Sequence, residues 1–171
     1  MTLTQIVFWT FSALAVLGAA MCITRRSPVA SALWLVQTLF ALAALFVVLD
    51  AQFVAVLQVL VYAGAIMVLF LFVIMLLNLG RPGLSDLKGP VGLAVATLLG
   101  GLLFFQLLRG ATPSAAGTPA GDTMAQLQQE QGIVGAVARP LFSQYLIPFE
   151  ITSVLLLAAI VGAVVLAKRK L

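Results

Sequence analysis

The sequence predicts an all-α integral membrane protein of five transmembrane helices, with a periplasmic N-terminus and a cytoplasmic C-terminus. Three observations predict it. Hydrophobic residues fill 63% of the 171 positions and charged residues only 8%, against about 25% charged in an ordinary soluble domain. The apolar residues gather into five unbroken runs, at 5–24, 29–49, 53–77, 91–108 and 147–167. Each is close to the ~20 residues that cross a ~30 Å hydrocarbon core. The basic residues sit in alternate connections between the runs, as in cytoplasmic loops. Positions 1–171 read as a single membrane domain.

The runs are rich in Leu, Ala, Val and Phe and do not alternate, so they are helices and not barrel strands. The first, 5–24, is not a signal peptide: no basic residue precedes it, and Arg25 and Arg26 follow it. Ala19-Ala20-Met21-Cys22 is a poor lipoprotein cleavage site for the same reason, so Cys22 reads as buried and inert. Helices two and three are joined by Asp50-Ala51-Gln52, without Lys or Arg, whereas Arg81 and Lys88 follow helix three. Lys168, Arg169 and Lys170 follow helix five. Placing all these basic groups in the cytoplasm fixes the orientation.

The fourth connection, 109–146, is then a long periplasmic loop. Its stretch 111–121 (ATPSAAGTPAG) reads as a flexible linker, and 123–131 as a short helical turn. Positions 132–146 read either as a segment lying in the membrane interface or as an ordered surface loop.

Composition removes whole classes of function. There is no His and one Cys, so neither a Cys-ligated iron–sulfur cluster nor a zinc site can form. A Ser–His or Cys–His pair is impossible. The net charge of +4 is a topology signal, with no nucleic-acid partner implied. No Lys, Arg, Asp or Glu lies near the centre of any run, where a self-sufficient proton pump keeps its ionisable groups. Phosphate loops and dinucleotide fingerprints are missing.

Two places depart from plain apolar filler. At 25 residues, 53–77 is about 37 Å long at 1.5 Å per residue, longer than the core it crosses. Tilt absorbs such an excess, and so does a π-bulge. Within it Gln58 and Tyr62, four apart, should share a face. Gly64 between Ala63 and Ala65 permits close helix contact and eases local rewinding. Ordinary small-residue packing explains the same residues. The second place is Glu150, at the start of helix five after Pro148 and Phe149. It reads either as an interfacial carboxylate near a helix N-terminus or as a proton-handling group. Asp50 reads as interfacial.

The run Val61-Tyr62-Ala63-Gly64-Ala65-Ile66-Met67-Val68-Leu69-Phe70-Leu71-Phe72-Val73-Ile74-Met75-Leu76-Leu77-Asn78 closely resembles the third helix of the subunit J family of proton-pumping NADH:quinone oxidoreductase, respiratory complex I. That family includes mitochondrial subunit 6. Pro148-Phe149-Glu150-Ile151-Thr152-Ser153-Val154-Leu155-Leu156-Leu157 resembles the start of its fifth helix, and Ser27-Pro28 and the five-span layout also fit.

The resemblance implies a multi-pass subunit of the bacterial inner membrane, without a redox site of its own, that helps couple quinone reduction to proton translocation. The complex would carry FMN and iron–sulfur clusters and use NADH and quinone. The implied partners are the small adjacent membrane subunits, the quinone-site subunit, the nearest antiporter-like subunit and the lipid bilayer. It also implies a third helix that switches between π and α forms, opening a water path. Tyr62, Gly64, Val68 and Phe70 would form the switching region; Gln58 and Glu150, singled out above on their own chemistry, complete the candidate set for the switch and proton path. Some relatives carry a carboxylate where this chain has Gln58, which cannot change charge. The alternatives are a structural scaffold in the same complex or in a related antiporter or other-donor complex, and a stand-alone small transporter.

Overall fold

The computed structural model describes residues 2–77, 89–110 and 120–168. The described residues are helical, joined by turns, and contain no strand. The helices are α1 (Leu3–Thr24), α2 (Pro28–Val48), α3 (Gln52–Leu76), α4 (Gly89–Gly110), α5 (Ala120–Ser143) and α6 (Leu146–Ala167). Four of them, α1, α2, α3 and α6, are long and apolar enough to cross a membrane. The fourth expected span falls on α4, whose apolar stretch Ala94–Gly110 is shorter. The expectations at Arg81, Lys88, Arg169 and Lys170, and for the linker at 111–119, lie outside the described residues.

The chain divides into two compact units, Met1–Ala120 and Gly121–Leu171. In the first, α1, α2 and α3 pack in sequence. Pro28 at the first position of α2 starts that helix without losing a hydrogen bond. Ser31 Oγ reaches back to the Cys22 carbonyl, tying α2 to the end of α1. The two helices cross at Gly18, where an added Cβ would lie 2.5 Å from Thr38 Oγ1. The α2–α3 turn is a Schellman motif. Asp50 takes the left-handed conformation (φ 57°), and the N–H groups of Asp50 and Ala51 donate to the carbonyls of Val47 (3.1 Å) and Phe46 (2.9 Å).

The core is thin and made mostly of small residues. Ala15, Ala32, Ala41, Ala43, Ala55 and Ala63 are buried with Met67 and Ile74, while large Leu, Val, Ile and Phe side chains on every helix stay exposed. Small buried residues let helix backbones approach closely, as membrane interfaces require. Ala32, Met67 and Ile74 form the α2–α3 core with Leu35, Val36, Leu39 and Leu71 around them.

In the second unit, the described residues of the connection expected as a loop are largely helical. α5 runs over Ala120–Ser143 and is broken only at Gly132 (φ 75°, ψ 164°), a conformation that glycine tolerates. Gln126, Leu127, Gln129 and Glu130 are good helix formers, and the short helical turn expected at 123–131 is part of this longer helix. Pro140 sits within the second piece. Its carbonyl accepts from the N–H groups of Gln144 and Tyr145, closing α5 before α6. Phe142 and Phe149 pack edge to face across that turn, centroids 5.0 Å apart.

Candidate functional site: the π-helical segment of α3

α3 is α-helical over Gln52–Leu57, π-helical over Gln58–Ile66 and α-helical again over Met67–Leu76. The Met67 N–H donates to the Tyr62 carbonyl, five residues back. A π segment accommodates one more residue than an α-helix of the same course. The buried stripe records that residue. Ala55, Gln58, Ala63, Met67 and Ile74 are the buried positions of α3. Ala55 to Ile74 is 19 steps, whereas five turns of α-helix take about 18. The extra step lies between Gln58 and Ala63.

This stripe corrects the expectation that Gln58 and Tyr62 share a face. Gln58 is 9% exposed and Tyr62 52%; Ala63 occupies the buried position instead. The i, i+4 rule assumes 3.6 residues per turn, and the π segment has more. Gly64 is partly buried, but its close neighbour is its own helix. An added Cβ would meet the Val59 carbonyl oxygen at 3.2 Å and nothing else within 4 Å. Within this chain the close helix contact lies at Gly18, against Thr38 and Trp34, a residue with no mark in the sequence to set it apart.

Val68, Phe70 and Phe72 are all exposed, with Phe70 and Val68 on opposite flanks of the buried stripe and Phe72 towards the far side, at about 100° per residue. Beside the first half of the π segment lies an apolar groove of about 650 Å³, between Phe40, Ala43 and Ala44 of α2 and Ala55, Val59 and Leu60 of α3. The first half of the π segment therefore has space on the side of this groove.

The remaining candidate, Glu150, belongs to the second unit. It is exposed in the second turn of α6, and its backbone carbonyl accepts from Ser153 Oγ at 2.7 Å. α6 buries no residue within the unit. Asp50 is exposed at the α2–α3 turn. Among the described residues no group of His, Cys, Asp and Glu is placed to hold a metal ion. Cys22 is partly buried beside Ser31, and a single thiol does not suit an iron–sulfur cluster.

The chain matches the family NADH-ubiquinone/plastoquinone oxidoreductase chain 6 over residues 18–166. It is 37% identical to NADH-quinone oxidoreductase subunit J of Pseudomonas aeruginosa, over 96% of this chain and 97% of the relative. It is 34% identical to subunit J of Rhodobacter capsulatus, over 99% and 84%. With NAD(P)H-quinone oxidoreductase chain 6 of Synechocystis the identity is 37%, over 98% and 82%.

Proposed function

Because the chain belongs to the NADH-ubiquinone/plastoquinone oxidoreductase chain 6 family, which includes the bacterial subunit J proteins, we propose that it is a membrane-arm subunit of a proton-translocating NADH:quinone oxidoreductase. It carries no redox group. FMN and iron–sulfur clusters belong to other subunits, NADH and quinone react there, and this chain helps link quinone reduction to proton movement through α3. Its neighbours are the small membrane subunits, the quinone-site subunit and the nearest antiporter-like subunit. Five spans carry it through the inner membrane, with the N-terminus outside.

The observation that carries the mechanism is the π segment at Gln58–Ile66. If the half before it stays fixed and the segment rewinds to α, everything after it turns by about 100°, one residue's share of a turn. Tyr62, Ile66 and Val73 then replace Ala63, Met67 and Ile74 against α2. Two of these three exchanges put one large aliphatic side chain in place of another, so the apolar area lost and gained is similar. Such a near-balance is what a two-state element requires. The third exchange, Ala63 for Tyr62, is unequal and brings a hydroxyl to the α2 face. Val68, Phe70 and Phe72 turn with the rotating half, Phe70 into the place of Leu71 beside the α2–α3 core, so the apolar groups around α3 change places and water can enter without any ionisable residue in this chain.

Gly64→Val tests the switch. A Cβ at 3.2 Å from the Val59 carbonyl crowds the π form, and β-branching stiffens the backbone further. The variant should assemble and pass electrons from NADH to an artificial acceptor at the normal rate. Quinone reduction and proton pumping should fall together. Normal pumping per NADH in an assembled variant rules out the switch and leaves α3 as packing, the scaffold reading. That reading is favoured by the lack of ionisable residues within the described spans, away from their ends. If Gly64→Val does not assemble, Gly64→Ala makes the same comparison with a smaller perturbation.

A further inference from the structure

α1 and α2 leave an apolar groove of about 480 Å³ along one side of their crossing. Leu14, Leu17 and Met21 line it from α1; Leu33, Trp34 and Gln37 line it from α2. The α1 residues are three and four apart and form one stripe. Four residues further along the same stripe is Arg25. Its guanidinium carbon lies 5.8 Å from the Trp34 ring centroid, and its Nη2 is 3.9 Å from Met21 Sδ. Two walls of the groove thus hold the cation at its end. Arg26 is exposed beside it. The first 49 positions contain these two charges and no acidic residue.

The depth of the groove is informative. Arg25 to Leu14 is eleven residues, about 16 Å along the helix. That is about half of a ~30 Å hydrocarbon core, one leaflet. A fixed cation therefore stands at the surface end of an apolar slot one leaflet deep.

We propose that this groove binds an anionic phospholipid, with its phosphate on Arg25 and Arg26 and one acyl chain along Leu14, Leu17, Met21 and Trp34. Guanidinium groups match phosphate oxygens in a bidentate geometry. A phosphodiester with its acyl chain supplies both halves of the complement, anion and apolar chain, in one molecule. A helix from a neighbouring subunit would fill only the slot and leave the two guanidiniums to find an anion elsewhere. The proposal does not depend on the α3 switch.

The test uses the assembled complex with Leu17 replaced by a photoreactive diazirine amino acid. The complex is delipidated and reconstituted into vesicles of equal parts phosphatidylglycerol and phosphatidylethanolamine. After illumination, adducts on the α1 peptide are identified by mass spectrometry. Phosphatidylglycerol adducts should exceed phosphatidylethanolamine adducts by roughly 25-fold, which corresponds to about 1 kcal/mol for each of two basic residues near the surface. Arg25→Gln/Arg26→Gln should bring the ratio close to one. If loss of charge disturbs insertion, Arg25→Lys/Arg26→Lys keeps the topology signal and should lower the ratio part way by removing bidentate contact. Equal labelling by both lipids in the unaltered sequence overturns the proposal, and so does a crosslink to a peptide of another subunit.

Discussion

At Gly18 one missing methyl group sets how closely two helices approach. A Cβ there would stand 2.5 Å from Thr38 Oγ1 and 3.4 Å from the Trp34 carbonyl oxygen, and Thr38 Oγ1 already donates to that carbonyl at 2.9 Å. Gly18→Ala must push α1 and α2 apart, a perturbation of about 1–3 kcal/mol by overpacking. The expected outcome is a severalfold lower level of assembled complex on native gels, restored by adding Thr38→Ala, which vacates the contested space. Unchanged assembly in Gly18→Ala would show that the crossing relaxes freely. Glu150 is the opposite case. It is exposed, about four residues and 6 Å into α6, where water is near and a carboxylate costs less than at mid-membrane. Glu150→Gln should assemble and keep most of its proton pumping, measured with a pH-gradient dye in vesicles. Complete loss of pumping with normal assembly would put Glu150 in the proton path. Gln58, Tyr62 and Gly64 stand out in the sequence because polar groups and a glycine are rare in such apolar company. Their partners could not be read there, since side-chain facing follows from the helical period, and that period changes within α3.

α3 carries its information in its winding. The sequence offers an apolar run too long for a straight span and a glycine flanked by alanines, and both are equally compatible with tilt and plain packing. Which residues lie against α2 depends on where the extra residue is absorbed; Gly64 and its flanking alanines point to that stretch but do not set the register of the residues after it. A deletion makes the point testable. Removing Ala65 takes out one residue while keeping the two ends of α3 in the relative rotation they have now, so Ala55, Met67 and Ile74 can still face α2 through a continuous α-helix. The shortened helix should be at least as stable and should assemble normally, because a π segment carries poorer hydrogen-bond geometry than an α-helix. It can no longer turn by one residue. If α3 is a switch, electron transfer to an artificial acceptor survives and quinone-linked proton pumping is lost. Full pumping in the assembled deletion variant would mean that the extra residue is dispensable and α3 is scaffold. α5 was less legible than α3. Its Gly132 and Pro140 look like loop punctuation, yet one breaks the helix at a single position and the other sits in a short second piece.

Across the whole molecule, the number of crossings decides which side of the membrane each end occupies. Spans 5–24, 29–49, 53–77 and 147–167 were legible because length and apolarity are all that a crossing needs, and their helices start and stop within two residues of those bounds. α4 is the exception: its clearly apolar stretch is only Ala94–Gly110. The full helix, Gly89–Gly110, has 22 residues, about 33 Å at 1.5 Å per residue, enough for a ~30 Å core. Its last turn carries Arg109, whose guanidinium carbon lies 4.8 Å from the Phe105 ring centroid, an arrangement suited to the membrane surface. The basic residues give an independent argument. Suppose α4 does not cross and Arg25 and Arg26 are cytoplasmic. Then Arg81 and Lys88 are also cytoplasmic, but Lys168, Arg169 and Lys170 end on the outer side, against the positive-inside bias. If α4 crosses, all three clusters fall on one side. The expectation is therefore five crossings. Alkaline phosphatase, active only in the periplasm, should be inactive when fused after Leu171 and active when fused at position 115. A green fluorescent protein, which folds in the cytoplasm, should fluoresce after Leu171 and stay dark at 115. Phosphatase activity after Leu171 with none at 115 would mean that α4 lies along the membrane or outside it, and the chain would then have four crossings with both ends on the same side.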